Sequence, residues 1–141
     1  MSAREHPLWT LALPATLPEL VVTPTAAQVF MFSAVTWNRH HIHFDKDAAL
    51  AEGHSGVVVQ RALLGNFLVR MLQGFLGGQG EIREIQWRVQ SSAYPNDTLR
   101  CGGECVAREV EGDAQFLRCA LALTKAGGHT VAVGQARLEL R

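Results

Sequence analysis

Three of the chain's six histidines fall within four residues, His40-His41-Ile42-His43, preceded by Asn38 and Arg39 and followed by Asp45. Imidazole is the side chain whose proton equilibrium lies nearest neutral pH, so one of these rings could serve as a general base or acid. An amide such as Asn38 can hold a water by hydrogen bonds but cannot take its proton. By residue type alone, three readings are open. The rings could be ordinary loop histidines. His41, His43 and Asp45 could share a face and hold a metal, although adjacent extended positions rarely supply a whole coordination shell. Or one histidine, paired with a nearby amide or carboxylate, could do acid–base chemistry. Cys101, Cys105 and Cys119 are an odd number, with no second pair at metal-ligand spacing, and read as small strand side chains.

The elements around this cluster can be read from periodicity. Between Val57 and Leu76, the residues Leu63, Leu64, Phe67, Leu68, Met71, Leu72 and Phe75 recur at helical steps and end at Gly77 and Gly78, which predicts a long, largely buried helix. Beyond it the period becomes two. Strands are expected over Glu81–Val89, Thr98–Val110, Ala114–Lys125 and His129–Leu140, joined by turns at Pro95-Asn96-Asp97, Glu111-Gly112-Asp113 and Ala126-Gly127-Gly128. Gly102 and Gly103 suggest a bulge or a close backbone approach. Four strands in sequence read as an antiparallel meander, and Trp37 and Trp87 as core or dimer contacts. Upstream, Ala26–Val35 is apolar and β-leaning and reads as a strand leading into the histidine loop. Lys46–Glu52 reads as a short helix capped by Asp45 and stopped by Gly53. One buried helix beside an antiparallel sheet is an α+β domain. It is expected over residues 25–141, after a poorly periodic lead-in over 1–24.

Composition narrows the partners. Thirteen Lys plus Arg offset thirteen Asp plus Glu, so the formal net charge is zero and the basic footprint of a nucleic-acid binder is missing. The same neutrality gives no hold on an anionic membrane and favours self-association. Pro7, Pro14 and Pro18 interrupt the apolar pieces of the start, and no window has the ~18 apolar residues of a spanning helix. A reducing, cytoplasmic setting is the expectation.

The loop Asn38-Arg39-His40-His41-Ile42-His43-Phe44-Asp45 resembles the signature of the MaoC-like acyl dehydratases and R-specific enoyl-thioester hydratases, Asp-x-Asn-Pro-x-His-x-Asp. His43 falls on that family's catalytic histidine, Asp45 on its closing aspartate and Asn38 on its first aspartate. The loop looks most like that of the mesaconyl/itaconyl-CoA-hydratase-like branch, in which an asparagine opens the motif after a Phe-Ser-Ala-x-Thr segment, here Phe32-Ser33-Ala34-Val35-Thr36. Glu52-Gly53-His54-Ser55-Gly56-Val57-Val58-Val59 and Pro95-Asn96-Asp97-Thr98-Leu99 continue the similarity, which covers about residues 25–140.

The resemblance implies a single hot-dog domain, its antiparallel sheet wrapped around one central helix, and a homodimer or higher homo-oligomer. It implies reversible hydration of a 2-enoyl thioester, carried on coenzyme A or acyl carrier protein, with no metal or other cofactor. His43 would activate the water and Asn38 would position it. His40 and Arg39 would stand beside the substrate. The backbone around Gly56 and Val57, taken as the amino end of the long helix, would stabilise the thioester oxyanion. Gln60-Arg61 departs from the family's His-Gly at the helix entrance. Two other functions fit the same fold: a thioesterase, with Glu52 or Glu81 as its carboxylate, and a non-catalytic acyl-thioester-binding subunit.

Overall fold

The structure, a computed structural model, describes residues 6–141. Its centre is helix α3, Arg61–Leu76, where the predicted apolar spacing buries Leu63, Leu64, Phe67, Leu68, Met71 and Leu72 along one side. Each such side chain contributes about 1.5–3 kcal/mol when removed from water, more than a typical hydrogen bond. The sheet supplies the other half of the core through Leu99, Leu117, Leu123, Val131 and Leu138, all essentially inaccessible to solvent. Cys101, Cys105 and Cys119 are also buried and form no disulfide. Burial pushes the Cys101 thiol up to about 12, as suits a packing group and not a nucleophile.

The four long strands lie close to where alternation predicts: β3 Gly80–Val89, β4 Leu99–Glu111, β5 Ala114–Lys125 and β6 His129–Leu140. Their order differs from a simple meander. β4, β5 and β6 follow one another, but β3 pairs antiparallel with β6 at the far edge. The reason is the segment between β3 and β4. It does not close a hairpin but crosses the end of the core, burying Ala93 and bonding Val59 N–H to the Ala93 carbonyl at 2.9 Å. Pro95-Asn96-Asp97 is a local turn inside this crossing, with Asp97 N–H on the Tyr94 carbonyl.

Two further differences lie upstream. The described part of the lead-in belongs to the sheet: β1 (Ala15–Thr16) and β2 (Leu20–Val22) pair with β4, and Leu17 enters the core. The predicted strand over Ala26–Val35 is instead helix α1, Ala26–Thr36. Thr25 caps it by accepting from Gln28 N–H, and Ala26-Ala27 open it with strong helix formers. Only Val29 and Ser33 of this helix are buried, while Phe30, Met31 and Val35 face solvent, so it carries no apolar stripe for periodicity to detect. It ends at Trp37, which adopts a left-handed backbone with φ of 56° and is 74% exposed rather than a core residue. Helix α2, Lys46–Ala51, forms as expected, with Asp45 accepting from Ala48 N–H at 3.2 Å.

Two of the glycines at close approaches bear on the predictions. A Cβ on Gly103 would stand 2.1 Å from the Ala120 carbonyl oxygen, so the predicted approach is there, while the bulge falls between Cys105 and Ala107. A Cβ on Gly65 would stand 2.2 Å from Trp87 Cζ2, so the indole of β3 packs directly on the α3 backbone. Gly65→Ala is therefore expected to cost about 2 kcal/mol in urea unfolding. Most of that cost should disappear in a Trp87→Leu background, where the ring is gone; an equal cost in both backgrounds would contradict this packing.

Candidate active site

The histidine loop leaves α1 at Trp37 and is fixed by local bonds. Asn38 N–H donates to the Ser33 carbonyl at 2.9 Å, and Asn38 Oδ1 accepts from His40 N–H at 3.2 Å. A single 3-10 turn follows over His41–His43, opened by His40, whose Nδ1 accepts from Ile42 N–H. This turn rotates successive side chains apart. His41 is exposed and packs edge-on against Phe44, Asp45 caps α2, and His43 alone is directed inward and buried. The three possible ligands of the metal reading therefore diverge, and among the described residues no three His, Cys, Asp or Glu side chains gather as a metal shell.

His43 Nδ1 lies 2.6 Å from the Val58 carbonyl oxygen. A carbonyl only accepts, so Nδ1 carries the proton and Nε2 is left as the basic nitrogen. Val58 N–H in turn donates to the Ile42 carbonyl at 2.9 Å, so the loop and the extended segment at Val58 hold each other on both sides. Burial lowers the His43 pKa below its ordinary 6.5; the Val58 bond opposes this, and positive charge on His40 and His54 adds to the lowering. The ring is thus neutral, and competent as a base, at neutral pH.

His43 lines a cavity of about 440 Å3 together with Asn38, His54, Arg61, Ala62 and Ser92. Asn38 Oδ1 is occupied by His40 N–H, which leaves the Nδ2 protons as the donors available to a ligand. Helix α3 begins at Arg61, not at Gly56, so the free amide groups of its first turn belong to Arg61, Ala62 and Leu63. Gly56 and Val57 are absent from the cavity wall, which Arg61 and Ala62 line instead. Arg39 and His40 are also off this wall. Arg39 lies over the Trp37 ring beside a separate apolar hollow, and His40 stacks edge-on to His43 with ring centres 5.8 Å apart. Glu52 is exposed at the end of α2, and Glu81 lies on β3 in ion pairs with Arg83 and Arg141; neither lines the cavity.

Three contributors carry no local signal in the sequence. His54 stands alone in a stretch whose pattern is set by its glycines and valines. The Val58 carbonyl and Ser92 are brought in by long-range pairing that no local pattern encodes.

Residues 12–95, more than half of the chain, match the family model of hydroxyacyl-thioester dehydratase type 2. The chain belongs to that family. A curated member, the mitochondrial hydroxyacyl-thioester dehydratase type 2 of Saccharomyces cerevisiae, is 30% identical over 78 residues, which are 55% of this chain and 27% of the yeast protein. The chain thus spans about a quarter of the length of that relative. Among solved structures, the ChsH1–ChsH2 complex of Mycobacterium tuberculosis aligns with a TM-score of 0.82 and 21% identity, over 94% of this chain and 100% of the other. The (R)-hydratase of A. caviae involved in PHA biosynthesis aligns with a TM-score of 0.82 and 19% identity, over 94% and 98%. These likenesses identify the hot-dog fold that the motif resemblance implied. No described helix is long and apolar enough to cross a membrane.

Because the His43 pKa lies below 6.5, its ring signals in an NMR titration of the free protein are expected to move with a midpoint under 6.5. The unfolded chain then takes up this proton before the folded one does, so stability is lost as pH falls from 6.5 through that midpoint. A midpoint above 6.5 would contradict the assigned burial.

Proposed function

We propose that this dehydratase-family chain adds water reversibly to a 2-enoyl thioester, the reverse direction being dehydration of a 3-hydroxyacyl thioester. The observation that carries the reading is the buried His43, oriented by Val58 so that its basic nitrogen is Nε2, on the wall of a cavity that Asn38 shares. A water held by Asn38 Nδ2–H keeps its lone pair for carbon 3 while His43 Nε2 takes its proton. The resulting imidazolium then delivers a proton to carbon 2. Negative charge on the thioester oxygen between these events meets the unpaired N–H groups of Arg61 and Ala62 and the positive end of α3. Run in reverse, the same groups remove water from the hydroxyacyl form.

Asn38 departs from the aspartate of the wider motif. An amide supplies orientation without a second base, so His43 handles both protons. His40 supports the loop from outside, and Arg39, beside the neighbouring hollow, would meet the polar portion of a thioester. The acyl group is carried by coenzyme A or acyl carrier protein, and the motif favours the mesaconyl/itaconyl-CoA-hydratase-like branch. Among the described residues β3 has an unpaired edge on the side away from β6, which suits a homodimer joined across its sheets. Three buried cysteines without a disulfide suit a reducing compartment such as the cytoplasm, although the yeast relative is mitochondrial by name.

One observation favours a second reading. The chain aligns with the whole of a chain from a two-component complex, ChsH1–ChsH2, which keeps open a subunit whose site a partner chain completes. Loss of enoyl absorbance is the deciding assay, run on crotonyl-, octenoyl- and mesaconyl-CoA. Turnover is expected with the wild type, reduced about 10²–10⁴-fold in His43→Ala and less severely in Asn38→Ala. Release of free coenzyme A without hydration would replace the hydratase with a thioesterase. Silence in both channels would favour the binding subunit. The acid limb of kcat/KM is expected below pH 6.5, because only the neutral ring accepts a proton and its pKa is lowered. A limb above 6.5 would point to a different base.

A further inference from the structure

Gln60 is wholly buried, yet it does not cap the helix it precedes. Its Nε2 instead reaches back to α1, donating to the Val29 carbonyl at 2.6 Å and to Ser33 Oγ at 2.8 Å. Its Oε1 has no hydrogen-bond partner among the described residues. A buried amide with an unpaired oxygen is a poor choice for packing alone, since a methionine of similar length would fill the space without stranding a polar atom. The position matters because of what Ser33 does. The Ser33 carbonyl receives both Trp37 N–H, which ends α1, and Asn38 N–H, which starts the loop. The chain of contacts therefore runs Gln60 to Ser33 to Asn38. Two residues earlier, the Val58 carbonyl holds His43.

We propose that Gln60 is a positioning residue that sets Asn38 against His43, so that the three-residue segment Val58-Val59-Gln60 is a common mount for both members of the pair. The Val58 backbone fixes the base, and the Gln60 side chain fixes the end of α1 from which the amide projects. Val59, between them, is tied to Ala93 of the segment that crosses from β3 to β4, which keeps the mount from sliding. Gln60 touches neither substrate nor reacting atoms in this account. The inference rests on the reading of Asn38 and His43 as the working pair.

The test uses Gln60→Met, alone and in an Asn38→Ala background. Turnover is measured on whichever of the three coenzyme A thioesters the wild type hydrates fastest. Displacement of a positioned group by about an ångström predicts that Gln60→Met lowers kcat by about tenfold or more while KM stays within about twofold. Melting temperature should change little, since removal of the stranded oxygen offsets the loss of the two bonds to α1. In the Asn38→Ala background the same substitution should cost nothing further, as expected for groups acting through one another. Amide hydrogen exchange at Asn38, whose N–H is bound to Ser33, should accelerate severalfold in Gln60→Met, and this readout requires no activity. Unchanged exchange at Asn38 overturns the inference, as does a full loss of kcat that persists in the Asn38→Ala background. A wild type that hydrates no thioester, or an Asn38→Ala variant with full activity, would instead sink the proposed function, and the exchange measurement would still decide whether Gln60 holds Asn38.

Discussion

The hydrogen bond from His43 Nδ1 to the Val58 carbonyl organises the candidate site, because it decides three things together. It selects the tautomer, so that Nε2 is the basic nitrogen. It fixes the ring plane against a segment that is itself bonded to Ile42 and Ala93. And it allows an imidazole to be buried at all, since a buried polar ring without a partner would be costly. Burial then lowers the pKa while the bond opposes that lowering. The outcome is a ring that is neutral at neutral pH and strongly oriented, the two properties a base needs before it meets a substrate. Everything that holds Val58 in place, from the start of α3 to the crossing segment at Ala93, acts on the site through this bond.

Much of this is legible in the sequence because the relevant signals are local. The apolar steps from Leu63 to Phe75 locate the central helix, and alternation locates all four long strands to within a residue or two. The spacing from Asn38 to His43 singles out the candidate pair, which lines a common cavity. Helix α1 is hidden for a physical reason. Its exposed face carries Phe30, Met31 and Val35, so apolar residues occur all round and the helical period is erased. The Thr25 cap and the following alanines are the remaining signal, and apolar β-leaning residues outweigh them. The placement of β3 beside β6 is likewise beyond local reading, because it depends on the crossing segment packing under the core instead of turning back. The same limit applies to the start of α3. Glycine at position 56 suggests a helix entrance, but the first turn forms at Arg61, after an extended run through Val58, Val59 and Gln60. Those residues serve as the mount of the site, and what holds them extended is pairing with Ile42 and Ala93, both remote in sequence.

The departure at Gln60-Arg61 acquires a physical meaning in this setting. Both side chains turn away from the helix they introduce. Gln60 reaches α1, and Arg61 donates to the Trp87 carbonyl at 2.9 Å while its own carbonyl accepts from Trp87 Nε1 at 3.0 Å. The first turn of α3 is thereby left with amide groups that the residue before it does not cap, at a position where the cavity begins. A helix entrance held from both flanks can keep its own donors free.

The reciprocal pair between Arg61 and Trp87 has a mechanical consequence. Trp87 belongs to the outermost strand and rests on the bare backbone at Gly65, and the Arg61 guanidinium lies 4.6 Å from the centre of its ring. Sheet edge and cavity wall are thus joined at the indole, which touches both. A displacement of the outer edge of the sheet would therefore reach the cavity wall directly, through the Trp87–Arg61 pair.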